Sequence, residues 1–219
     1  MLLLAFDTAT PAVTVALHDG AAVIAEESGV DARRHGELLA VFIDKVLRNV
    51  GASRGDLTGI AVGTGPGPYT GLRAGLVTAR VLGSALKLRT DGICSLDVIA
   101  ADASPWAVGS EYLVATDARR REVYWARYKS TGERVGGPHV GRPADLPAGL
   151  PVAGTGADLY PDLGGGSATQ IQPRYPSAAR LAALAAARLA AGEAPGPAEP
   201  LYLRRPDARE PGKPKRVTP

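Results

Sequence analysis

Residues 3–20, LLAFDTATPAVTVALHDG, hold an apolar run ending at Asp7, a five-residue turn, a strand of alternating pattern beginning at Val13, and a closing Gly20. Residues 113–132, LVATDARRREVYWARYKSTG, repeat the plan. An apolar run ends at Asp117, the second strand again begins six places on at Val123, and Gly132 closes the unit. Each stretch predicts a β-hairpin whose first strand is buried on both faces and whose second alternates.

The repetition extends further. Residues 60–67, IAVGTGPG, are answered by 150–157, LPVAGTGA, each a short apolar strand running into Gly-Thr-Gly. Two matched signals in the same order predict a duplicated α/β unit. The boundary falls near SPWAVGSE at 104–111, giving an N-terminal half at 1–107, a shorter C-terminal half at 108–200, and a tail at 201–219. In that tail Arg204, Arg205, Arg209, Lys213, Lys215 and Arg216 stand among prolines, a composition that predicts a solvated segment without a core in preference to a nucleic-acid contact.

Composition narrows the class. The 219 residues are 45% hydrophobic with a net charge of +3, enough apolar content for a real core. No apolar run approaches the roughly 18 residues of a membrane span, and MLLLAFDTAT lacks the basic flank and cleavage site of a signal peptide. Cys94 is the single cysteine, so no disulfide framework exists and a cytoplasmic protein is expected.

Three helices are legible: 35–50, 70–87 and 177–191, the last with Ser177 as N-cap and Gly192 as its stop. In the first, Leu38, Leu39, Phe42, Ile43, Val46, Leu47 and Val50 cover about half the circumference, wider than the ~100° stripe of a helix that covers only a sheet. In the second, Gly71, Gly75, Ala79 and Gly83 line one side and Val77 and Val81 the other. An interior glycine costs about 1 kcal/mol relative to alanine, so the small-residue stripe marks a close approach of another backbone. Two compatible readings remain: packing on the chain's own first helix, or a subunit interface made by Leu39, Phe42, Ile43, Val46, Gly71, Leu72, Gly75, Leu76, Ala79 and Gly83.

The glycines of GTGPGPYTGLRAG at 63–75 suggest a phosphate cradle, yet their spacing fits neither the dinucleotide fingerprint nor the P-loop. The hairpin DTATPAV has no glycine, and Pro11 lacks an N–H to offer a phosphate. Thr8 and Thr10 are left as candidates for a weak nucleotide contact, with Asp7 and Asp117 as structural hairpin residues. The glycine segment reads better as a tight turn into a close-packing helix. Arg33, Arg34 and His35 read as a solvated cap of the first helix.

A duplicated unit of strand, Asp and hairpin resembles the actin-like and sugar-kinase ATPases. DTAT at 7–10, RRHGELL at 33–39, GTGPGPYTGLRAGL at 63–76, CSLD at 94–97 and YLRRPDA at 202–208 together resemble the TsaB family. The resemblance implies a duplicated actin-like α/β fold and a subunit supporting transfer of a threonylcarbamoyl group to the adenosine 3′ of the tRNA anticodon. It implies partnership with the catalytic relative TsaD and the ATPase TsaE, and contact with tRNA only through the complex; the excess apolar surface of the two helices adds the expectation of a homodimer when the chain is alone. TsaD holds its metal partly through a His-x-x-x-His pair; Ser95 and Ile99 align with those positions, so neither catalytic nor metal-binding residues are expected here. No tightly bound cofactor is expected of the chain alone, ATP or ADP belonging to the complex. The rival readings are a stand-alone actin-fold kinase or hydrolase, which lacks a glycine-bearing phosphate loop here, and a peptidase, for which no motif is found.

Overall fold

The structure, a computed structural model, describes residues 1–107, 109–166 and 168–204. The chain opens with β1 (Leu3–Asp7), β2 (Ala12–His18) and β3 (Val23–Val30), followed by α1 (His35–Asn49), β4 (Gly59–Gly63), α2 (Tyr69–Leu86) and β5 (Arg89–Ile93). These strands form one sheet in the order β3-β2-β1-β4-β5, with β1, β4 and β5 parallel and the two leading hairpins antiparallel. Then come α3 (Ser95–Ala103), β6 (Tyr112–Asp117), β7 (Val123–Tyr128), β8 (Arg134–Gly141), β9 (Val152–Ala153), the short α4 (Gly156–Leu159) and α5 (Ala178–Ala190). The second sheet runs β8-β7-β6-β9, with two antiparallel pairs as in the first sheet but one parallel pair where the first has two.

The duplication read from the two hairpins is therefore present strand for strand, the second copy ending early at β9. It extends to single hydrogen bonds. Asp7 Oδ1 accepts the N–H of Ala9 at 2.7 Å, and Asp117 Oδ1 accepts the N–H of Arg119 at 2.7 Å. Each aspartate folds its own turn, as Asp side chains commonly do at chain reversals.

One face of the first sheet packs on α1 and α2, through Leu39, Ile43, Val46, Leu47, Leu72, Leu76 and Ala79. The opposite face packs on α5, where Leu181, Ala182, Ala185 and Ala186 meet Leu3, Ala5, Ala61 and Ile93. This sandwich corrects two expectations. β2 does not alternate: all of its residues are buried, because α1 covers one side and α5 the other. And α5, assigned by sequence to the 108–200 half, lies on the first sheet. Its expected start is confirmed, with Ser177 Oγ accepting the N–H of Arg180 at 3.3 Å.

The wide apolar surface of α1 is largely absorbed within the chain. Phe42 packs over β3 so closely that a Cβ on Gly29 would stand 3.1 Å from its ring. The second half closes around Leu96, Ile99, Ala100, Tyr112 and Tyr128 on one face of its sheet and Leu113, Val123, Leu146 and Val152 on the other.

Candidate functional site

The ends of β1 and β4 and the start of α3 meet at one point. Ser95 Oγ donates to Asp7 Oδ2 at 2.5 Å and accepts from the N–H of Gly65 at 3.1 Å, while the N–H of Ser95 donates to Gly65 O at 2.8 Å. Gly63 is required here, since any Cβ would run into the Asp7 carboxylate. Asp7 is completely buried, and burial pushes its pKa up from 3.8 to about 6 against the opposing pull of Ser95, the Ala9 N–H and His35. Ile99, the other position aligned with a metal ligand, is fully buried in the apolar core of the second half.

Thr8 and Thr10 are placed otherwise than expected. Thr8 Oγ1 donates to Gly71 O at 2.7 Å and accepts the N–H of Gly75 at 3.0 Å, so its hydroxyl is spent on the backbone of α2. Thr10 Oγ1 accepts the N–H of Ala12, and both threonines are buried. The cavity beside them, bounded by His35, Thr70 and Arg119, measures about 170 Å³, below the roughly 300 Å³ at which cofactor sites begin. Both hydroxyls are thus engaged within the chain: Thr8 clamps the first hairpin to α2, and Thr10 closes the hairpin's own turn.

The same clamp decides which side of α2 faces inward. A Cβ at Gly71 would stand 2.6 Å from Thr8 O and 3.0 Å from His35 Nε2; one at Gly75 would stand 2.6 Å from Thr8 Oγ1, and one at Gly83 would stand 2.6 Å from Thr90 Oγ1. Gly71, Leu72, Gly75, Leu76, Ala79 and Gly83 are all buried, as are Leu39, Ile43 and Val46 of α1, and Phe42 is half-buried. Assigning them to a partner interface is thus corrected: they are the chain's own core. What α1 and α2 present outward is Val41, Val77 and Val81, each more than half exposed.

His35 is also corrected. It is buried, and its Nε2 donates to Thr10 O at 2.8 Å, a carbonyl being able only to accept. Arg33 and Arg34 are exposed, as a solvated cap requires.

Residues 201–204 bridge the segment from β4 into α2 and the second hairpin. Leu201 donates its N–H to Thr64 O at 2.9 Å, and the Tyr202 ring lies on Tyr69 with centroids 4.8 Å apart. Arg73 Nε donates to the Tyr202 hydroxyl at 2.9 Å, with its guanidinium 5.0 Å over the Tyr69 ring. Arg204 donates to Ala118 O at 3.1 Å and pairs with Glu122 on the second hairpin. Leu201–Arg204 therefore form a packed strap, which corrects the solvated reading for these residues; 205–219 lie outside the described residues. Composition concealed the strap, because aromatic stacking between Tyr69 and Tyr202 pairs positions remote in sequence.

At the tip of the second hairpin Arg119, Arg120 and Arg121 have φ of 61°, 55° and 59°. Left-handed backbone costs a residue with a Cβ about 1 kcal/mol or more. Among the described residues no group of three His, Cys, Asp or Glu side chains is placed to hold a metal ion, and no helix is long and apolar enough to cross a membrane.

Residues 22–158 match the family described as TsaD, tRNA N6-adenosine threonylcarbamoyltransferase. An uncharacterised protein of Mycobacterium tuberculosis is 44% identical, over 94% of this chain and 93% of its own length. The tRNA threonylcarbamoyladenosine biosynthesis protein TsaB of Escherichia coli is 32% identical over 93% of this chain and 95% of its own. Among solved structures, a Pseudomonas aeruginosa protein described as similar to the peptidase YeaZ superposes with a TM-score of 0.80 at 29% identity, covering 93% of this chain and 99% of that one.

Proposed function

Because the chain belongs to the TsaB family, whose members include the E. coli tRNA threonylcarbamoyladenosine biosynthesis protein, we propose that it is the non-catalytic subunit of the complex that transfers a threonylcarbamoyl group to the adenosine 3′ of the tRNA anticodon. Its role lies in making that modified nucleoside. The transfer chemistry falls to TsaD, with which this chain pairs, and TsaE joins the pair as an ATPase. tRNA is reached through the complex, ATP or ADP binds there and not tightly to this chain alone, and the setting is the cytoplasm.

One observation carries the reading. At the two positions aligned with a catalytic metal pair stand Ser95, whose hydroxyl is locked between Asp7 and Gly65, and Ile99, sealed in the core. Neither has a free lone pair aimed into a cavity, so the residues present there hold the fold together and leave no place for a reacting group.

Burial supports a pairing surface on the outer sides of α1 and α2. Val41, Val77 and Val81 are 55%, 57% and 59% exposed on adjacent helices, where a monomer gains nothing from apolar side chains. A fold-mate offering the equivalent pair of helices buries these valines, and a second copy of the chain takes its place when TsaD is missing. Substituting Val77→Glu and Val81→Glu together tests the proposal. The variant is expected to fold with an unchanged urea midpoint and to lose co-purification with TsaD; undiminished pairing would move the interface elsewhere.

A further inference from the structure

We propose that the tip of the β6–β7 hairpin and the groove beside it are a docking surface for the phosphate backbone of RNA; this rests on the function proposed above and goes beyond it, giving the chain its own contact with the tRNA inside the complex. Three observations converge on it.

The first is the backbone. Among the described residues the non-glycine positions with positive φ are Lys87 and the consecutive Arg119, Arg120 and Arg121. Apart from Lys87, the other positive-φ positions among the described residues are eleven glycines. A glycine would make each of these three turns without strain, so what arginine adds is the side chain. All three are exposed.

The second is the groove. Arg120, Arg121 and Arg142 line about 630 Å³ of open space together with Leu159 and Tyr160, room for a nucleotide-sized group. Glu122 and Asp162 border it too, and Glu122 is already paired with Arg204. Guanidinium forks suit phosphate oxygens, and a neighbouring aromatic ring gives a base a surface to stack on.

The third is where the strap leads. Arg204 is bonded to this hairpin, and residues 205–219, outside the described residues, carry five Lys or Arg against Asp207 and Glu210. Like charge makes that segment a poor occupant of an arginine-lined groove. The groove instead suits a polyanion. An acidic protein lacks the regular spacing of phosphates and has no base for Tyr160.

The test uses the full chain with a labelled, unmodified tRNA transcript, followed by fluorescence anisotropy from about 50 to about 200 mM salt. Replacing Arg120→Gly, Arg121→Gly and Arg142→Ala removes the guanidiniums and relieves the hairpin backbone. It should weaken binding at least ~10-fold and lower the slope of log K against log salt by about 2 to 3. Lysine at the same three positions should restore most of the slope. Equal affinity and slope for the wild type and the glycine variant overturn the proposal, and so does a loss seen only with polyglutamate. Measuring threonylcarbamoyladenosine in tRNA from depleted cells given each version separates the two readings. A wild-type chain that restores the nucleoside, with arginines indifferent to tRNA binding, refutes this surface alone. A wild-type chain that does not restore it, with arginine-dependent binding, refutes the function and leaves the surface standing.

Discussion

Replacing Asp7→Asn should stabilise this protein at neutral pH and leave it unchanged in acid. The carboxyl is wholly buried and its pKa stands at about 6 in the folded chain against 3.8 ordinarily. Between about pH 4 and pH 6 the folded chain holds a proton that the unfolded chain has released. Stability therefore falls as pH rises through this window and levels off above the folded value. A gap of about two pH units, at about 1.4 kcal/mol each, makes the ionised carboxylate about 3 kcal/mol unfavourable at pH 7.5. The amide has nearly the same shape and no charge: its oxygen accepts the Ala9 N–H, and its nitrogen donates to Ser95 Oγ, reversing the bond that the carboxylate accepts, as protonation of Asp7 Oδ2 also does. The variant should match the wild type near pH 4 and exceed it by up to about 3 kcal/mol at pH 7.5, a rise of roughly 6 to 12 °C in Tm for a chain of this size. Urea unfolding of both proteins from pH 4 to 8 measures it. Asp19 and Asp56, whose backbone hydrogen bonds hold their pKa values low, titrate alike in both and cancel in the difference. A difference that does not vary with pH, or a variant less stable at pH 7.5, refutes the account of Asp7 as a carboxylate ionised against burial.

Two further substitutions probe the clamp. Gly75→Leu drives a side chain onto Thr8 Oγ1 and should cost about 3 kcal/mol in urea unfolding; a wild-type midpoint with TsaD pairing lost would return the small-residue stripe to an interface. His35→Ala removes the buried donor to Thr10 O and should cost about 1 to 3 kcal/mol, whereas Arg33→Ala and Arg34→Ala should leave the midpoint where it is. Equal effects of all three would put His35 back in solvent.

Local signals were legible and remote ones were not. Asp7, Asp117 and the paired Gly-Thr-Gly segments announce the duplication, because each hairpin carries its own turn chemistry. The inward side of α2 could not be read from the helix, since Gly71–Gly75–Ala79–Gly83 and Val77–Val81 are both apolar stripes. It is settled by Thr8, whose hydroxyl seeks backbone partners across 63 and 67 positions of sequence. The burial of β2 depends in the same way on α5, and the strap on Tyr69. Ser95 and Ile99 were identified by resemblance, but the locking of Ser95 against Asp7 is visible only once the ends of β1 and α3 are brought together.

The position of α5 has a consequence for the newborn chain. Its residues 178–190 cover Leu3, Ala5 and Ala61 on the first sheet, yet they are synthesised after every strand of both sheets. While the ribosome works through β6 to β9, the first sheet has α1 and α2 on one side and bare apolar surface on the other. Synthesis from the amino end thus leaves the earlier half unfinished longest, and a chain stopped before residue 178 exposes the β1–β4 face that α5 would seal. Unpaired apolar sheet surface of this kind drives aggregation of partly made chains, so occupancy by holding chaperones should persist until α5 clears the exit tunnel.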